Sequence, residues 1–257
     1  MRRVAWVVLP PIFFAVALLA AWQAWVSVRE IEYYILPPPT DVARALTGEP
    51  GRYAEALAES LLTALSGLVL ASTIAFGLAV LMAHSRVLER AIYPPALLVK
   101  VTPIVAVYPL LLIWFGFGVW PRVVVAALIT FFPMLVNAIV GLRAVDTSAL
   151  DVLRVLDASR AQVFWKLRLP SSLPYVFAAL RISVPLSLIG AVVAEFLSGA
   201  GGMGQLILIA NGEFETDVLF AAVFVLAGAG IGITAIVSYV ESRVLGWTQA
   251  ERQQMGA

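Results

Sequence analysis

The chain has 257 residues, of which 61% are hydrophobic and 13% charged, with a formal net charge of +1 and a mean hydropathy of +0.95. A soluble domain of this length needs a far more charged surface, so the composition points to an integral membrane protein. The absence of cysteine excludes disulfides, thiolate metal sites and thiol nucleophiles, and the arginines gather into no basic face for nucleic acid.

Six apolar runs follow in chain order: Val4 to Val28, Leu57 to Ala83, Pro94 to Phe115, Val123 to Leu142, Ala178 to Leu197 and Val218 to Val240. Each is long enough to cross roughly 30 Å of hydrocarbon as a helix, which takes about 20 residues. Their continuity excludes the short alternating strands of an outer-membrane barrel. The first run follows Arg2 and Arg3 as a signal peptide would, but it is longer, carries several tryptophans and leads to no convincing cleavage site, so it reads as a retained helix. The expected fold is an all-α membrane protein of six transmembrane helices.

A cytoplasmic N-terminus puts segments 1–3, 84–93, 143–177 and 241–257 inside. They hold Arg2, Arg3, Arg86, Arg90, Arg143, Arg154, Arg160, Lys166, Arg168, Arg243 and Arg252, whereas the outer segments hold Arg29, Arg44, Arg52 and Arg122. That bias favours both termini inside a bacterial or archaeal inner membrane. In the first outer segment, Pro37 to Pro39 should be extended, and Thr40 or Asp41 can cap a short helix from Val42. Tyr33, Tyr34 and Ile35 suit a headgroup anchor or a docking surface for an external partner.

Several positions inside the runs break the apolar pattern. Pro133 and Pro185 free backbone carbonyls, which lipid tolerates only beside neighbours or a cavity; Asn137 can satisfy the broken backbone or line a path. Lys100 and Arg181 can snorkel to an interface, or balance an anionic solute or an internal acid. Glu195 is an intramembrane carboxylate one turn before Ser198-Gly-Ala-Gly-Gly-Met-Gly-Gln205. It can serve structural hydrogen bonding, a gate, or simple interfacial exposure. The glycine stretch, with Gly201 and Gly202 at its centre, lacks the spacing of a phosphate-binding loop and suits a tight outer turn or re-entrant piece. His84 has no acids or cysteines near it in sequence and is expected to be a boundary residue, with no metal site.

The cytoplasmic segment 143–177 is polar yet patterned. Asp146-Thr147 can start one helix; Ser159 with Gln162 three residues on fits a capping box for a second, from Arg160 to Leu169. Val163, Phe164 and Leu167 fall near one face, and Pro170 and Pro174 limit its continuation. About ten residues are marginal alone in water. The helix needs support, either from the membrane surface, where Trp165, Lys166 and Arg168 fit an amphipathic helix, or from a partner's groove.

Asp151 to Pro174 resembles the cytoplasmic signature of permease subunits of bacterial ABC importers. Asp151, Val152 and Leu153 stand at its Glu-Ala-Ala triplet, Asp157 at its glycine, and Leu169-Pro170 at its terminal pair. "ILPPPTDVARAL", "TPIVAVYPLLLIWFGFG", "FFPMLVNAIVGLRAVD", "AVVAEFLSGAGGMGQLI" and "DVLFAAVFVL" are similar to the branch containing taurine, alkanesulfonate, nitrate and thiamine-precursor pyrimidine importers. The resemblance implies a homodimer whose loop acts as a coupling helix in a groove of a separate ATPase, with two ATPase subunits that carry ATP and Mg. It also implies an external, periplasmic or lipid-anchored, binding protein that delivers the small-molecule solute. Asp151, Asp157, Ser159, Arg160, Gln162, Val163, Phe164, Trp165, Lys166, Leu169 and Pro170 become the expected coupling residues. Asn137, Pro185, Glu195, Gly201 and Gly202 become the expected path or gate. Asp157 places a β-carbon and a charge where the family has glycine, tolerable at positive φ more readily than most residues. No catalytic residues and no cofactor are expected on this chain, which lacks a Walker sequence. A passive channel or membrane scaffold is the alternative function.

Overall fold

The computed structural model describes residues 2–246, with side chains from residue 9 onward; Arg252 and the side chains of Arg2 and Arg3, counted above as cytoplasmic charges, lie outside the described residues. The elements are α1 (Arg2–Arg29), α2 (Pro39–Gly48), α3 (Pro50–His84), α4 (Arg86–Val101), α5 (Ile104–Phe115), α6 (Val119–Arg143), α7 (Thr147–Val155), α8 (Arg160–Val163), a π-helical turn at Phe164–Arg168, α9 (Leu169–Ser198), α10 (Gly202–Gly212) and α11 (Thr216–Val244). Among the described residues, five stretches are long and apolar enough to cross a membrane, or six if the bent pair α4 and α5 is one span.

The third run differs from the single helix expected over residues 94–115. Its two halves meet at 103°. Pro103 has no N–H to continue the ladder and drives Thr102 into extended backbone, φ −72° and ψ 125°. The Thr102 N–H and hydroxyl then both donate to Leu98 O, closing α4. Outside the membrane, α2 starts three residues earlier than expected: Pro38 is its N-cap and Pro39 its first residue, where proline's fixed φ suits a helix start.

The core is a three-helix layer of α3, α6 and α9. Small residues set its spacing. A Cβ on Gly67 of α3 would stand 2.6 Å from Ala126 Cβ, and one on Gly190 of α9 would stand 2.9 Å from Ala126 Cα. The same α6 alanine is thus clasped by a glycine on either side, and close backbone approach is how helices gain packing energy in lipid. Around this seam lie Ala75, Ala79, Met82, Met134, Leu135, Ala138 and Leu142. At the C-terminal end of α6 Arg143 donates to both oxygens of Glu89, at 2.8 and 2.7 Å, and to Met82 O. That residue fastens α6 to α4 and α3. By contrast α1 is largely exposed and touches the bundle through Trp22, whose ring lies 5.5 Å from Phe220 and 6.1 Å from Phe224.

Candidate functional site

The segment 143–177, expected in the cytoplasm, opens with two short helices with distinct caps. Asp146 accepts from Ser148 N–H to start α7, and Ser159 and Gln162 form a reciprocal capping box on α8. Between them the chain turns through a Schellman closure: Ala158 N–H donates to Leu153 O at 2.9 Å and Asp157 N–H to Arg154 O at 3.0 Å. Asp157 is the left-handed residue of that turn, with φ 50°. This conformation explains why a glycine suits the position.

Pro170 and Pro174 do not end the second helix as expected. Leu169 N–H instead reaches back five residues to Phe164 O, and this wider π turn makes room for the ring that a regular ladder would force against Lys166. Residues Arg160–Ser198 therefore run as one 39-residue helix. The segment expected to couple to an ATPase is one end of this long helix, not a separate module.

Along this segment the residues divide by exposure. Phe164 packs against the α3 and α6 core and lies 6.1 Å from the His84 ring, while Val163, Leu167, Leu169 and Pro170 are half-buried. Trp165 stands edge-on to Phe164 at 5.4 Å and is 65% exposed; Val152 at 59%, Val155 at 84% and Leu156 at 70% are exposed in and just after α7. Asp151, Asp157, Ser159, Arg160, Gln162 and Lys166 are all exposed; Asp151 is engaged by Arg154 at 2.9 Å.

At the opposite end, the glycine stretch is held by three side chains that converge on the first turn of α10. Gly202 N–H donates to Glu59, Met203 N–H to Ser60 and Gly204 N–H to Glu195, at 2.8, 2.8 and 3.0 Å. The helix thereby finds acceptors for N–H groups that lack a preceding turn. Glu195 is fully buried, not interfacial, and also accepts from the Ser60 hydroxyl at 2.7 Å. Arg122 donates to Ala200 O at 2.9 Å. Side chains on Gly201 or Gly202 would collide with Glu59 and Arg122, or with the Glu195 carboxylate, and both glycines have φ near +70°. Glu59, Ser60 and Arg122 were missed in the sequence because they lie 78 to 143 positions away from their partners.

The other residues expected to line a path, Asn137 and Pro185, are not gathered with this clasp. Asn137 donates to Pro133 O at 2.9 Å on α6. Pro185 lines an apolar groove of about 550 Å³ between α9 and α11, with Leu188, Val192, Leu226 and Gly230.

Residues 67–246 match the family described as the binding-protein-dependent transport system inner membrane component. The chain belongs to this family. It is 35% identical to a riboflavin transport system permease of Chloroflexus aurantiacus, over 96% of this chain and 93% of the relative. It is 31% identical to a formylaminopyrimidine transport permease of Halalkalibacterium halodurans, over 95% and 97%, and 30% identical to the taurine permease of Escherichia coli, over 82% and 79%. The fold of the inward-facing methionine ABC transporter covers 72% of this chain and 93% of that one, with a TM-score of 0.64 at 18% identity. The protein is thus a multi-pass inner-membrane permease of the ABC importer class, built from helices throughout its described residues.

Proposed function

We propose that the chain forms, with a second copy of itself, the membrane path of an importer driven by two separate cytoplasmic ATPase subunits, which carry ATP and Mg. Both termini lie in the cytoplasm, and an external binding protein delivers a small solute. The observation that carries this reading is the unbroken helix from Arg160 to Ser198. It carries the exposed Trp165 near one end and the Glu195 clasp near the other, about 45 Å apart at 1.5 Å per residue. Displacement of its inner end by an ATPase is delivered to the outer loop, because packed interiors are barely compressible. This chain contributes no catalytic group; its role is gating.

Relatives named for riboflavin, formylaminopyrimidine and taurine support small solutes as cargo, with selection shared with the external protein. Reconstitution with the cognate ATPase and binding protein tests the reading: uptake should require hydrolysis, and Trp165→Ala should separate the two. Solute flux that persists without ATPase would make the chain a passive channel.

A further inference from the structure

Four charged side chains, Glu59, Lys100, Arg181 and Glu195, fall within the apolar runs. Three are answered from within the bundle. Glu59 accepts from Gly202 N–H at 2.8 Å. Glu195 accepts from Ser60 and Gly204, and Arg181 of α9 meets Glu241 of α11 at 3.3 Å. Lys100 pairs with no carboxylate among the described residues; its ammonium rests over the Phe132 ring, 4.7 Å from the centroid.

Phe132 fixes the depth of that charge. In α6 (Val119–Arg143) it stands about 20 Å from one end and about 17 Å from the other, at 1.5 Å per residue. The ammonium therefore lies beside the middle of α6, turned onto a ring and not along its stem toward a helix end. That contact counts against the snorkelling expected from the sequence. The neighbouring backbone carries the same constraint. Val101, Thr102 and Pro103 are exposed at the 103° break between α4 and α5. Irregular backbone and a bare charge at membrane depth are tolerated against protein or water, not against lipid. Tyr93, two turns earlier on α4 and also exposed, sets its ring 6.1 Å from Phe132. One cationic donor and two aromatic rings thus converge beside an open break.

We propose that this break lines the solute route, and that Lys100, Phe132 and Tyr93 contact the solute in transit. The chemistry they fit is a planar ring compound with oxygen acceptors: its face meets the aromatic rings and its oxygens meet the ammonium. The inference rests on the transporter reading above and adds to it a contact for cargo within the permease.

The chain has no cysteine, so Lys100→Cys introduces a single thiol. In proteoliposomes holding the complete complex, a small charged thiol reagent supplied on both sides should modify position 100, at a rate that changes on trapping with ATP and vanadate. Phe13→Cys, exposed on the apolar α1, should stay unmodified. Lys100→Met should lower riboflavin uptake about tenfold or more, as loss of one charge-assisted contact does, while binding-protein-stimulated hydrolysis persists; Lys100→Arg should restore uptake. A Lys100→Cys thiol unmodified in every state, or unchanged uptake by Lys100→Met, overturns the proposal. A defect seen for nitrate and not for riboflavin overturns the ring-compound assignment. If the unaltered complex couples no hydrolysis to uptake, the transporter reading fails, and the thiol experiment still decides whether position 100 meets water.

Discussion

The Ser60 hydroxyl on α3 donates to the Glu195 carboxylate on α9 at 2.7 Å, with both side chains sealed from solvent. Gly204 N–H of α10 donates to the same oxygen, so one acceptor joins three helices. Glu195→Ala orphans both donors, at about 1–3 kcal/mol each. Glu195→Gln keeps an acceptor in place and should cost less. Thermal unfolding of the purified permease should rank the unaltered chain above Glu195→Gln and that above Glu195→Ala; equal midpoints for the two variants would remove the hydrogen bonds from the account.

Two adjacent aromatics, Phe164 and Trp165, should fail in opposite ways. Phe164 packs inward on the core beside His84, so Phe164→Ala should lower stability by roughly 2–3 kcal/mol, below the range for a fully buried ring. Trp165 is 65% exposed. Trp165→Ala should leave unfolding unchanged within about 0.5 kcal/mol and weaken ATPase capture by tenfold or more, as loss of an aromatic anchor does. Pull-down titration and unfolding, measured on both variants, separate the two roles.

Asp157 closes the Schellman turn at φ 50°. Left-handed backbone costs an ordinary residue about 1–2 kcal/mol, and aspartate less. Asp157→Gly removes that cost and should stabilise the loop by up to about 1 kcal/mol, whereas Asp157→Val should destabilise it by more than that. Amide exchange at Ala158, whose N–H reaches Leu153 O, reads the turn directly. Slower exchange in Asp157→Val than in Asp157→Gly would contradict this.

Local signals in the sequence carried much of the molecule. The capping box at Ser159 and Gln162, the N-cap at Asp146 and the left-handed strain at Asp157 depend on residues within four positions of one another, and all are realised. What could not be read is what distance in sequence hides. Glu59 and Arg122 meet the glycine loop only after three helices pack. Lys100 looked like a residue near a span's end until the break at Pro103 and the contact with Phe132 set its depth. Pro170 read as a stop because the rule for proline assumes a regular ladder, which the π turn evades.

The seam between α3, α6 and α9 makes a prediction that distinguishes side-chain from backbone crowding. A Cβ on Gly67 meets Ala126 Cβ at 2.6 Å and Val123 O at 2.8 Å, whereas a Cβ on Gly190 meets Ala126 Cα at 2.9 Å and Ile129 Cδ1 at 3.1 Å. Gly67→Ala and Gly190→Ala should each cost about 1–3 kcal/mol through overpacking. Adding Ala126→Gly removes the Cβ that Gly67→Ala strikes, so part of that loss should return. The Gly190→Ala contact is with the α6 backbone, which the same change leaves in place, so rescue there should be smaller. A double-mutant cycle on unfolding midpoints measures both couplings. Equal rescue at the two positions would mean that the helices shift apart as bodies and that Ala126 is not the point of contact that sets their spacing.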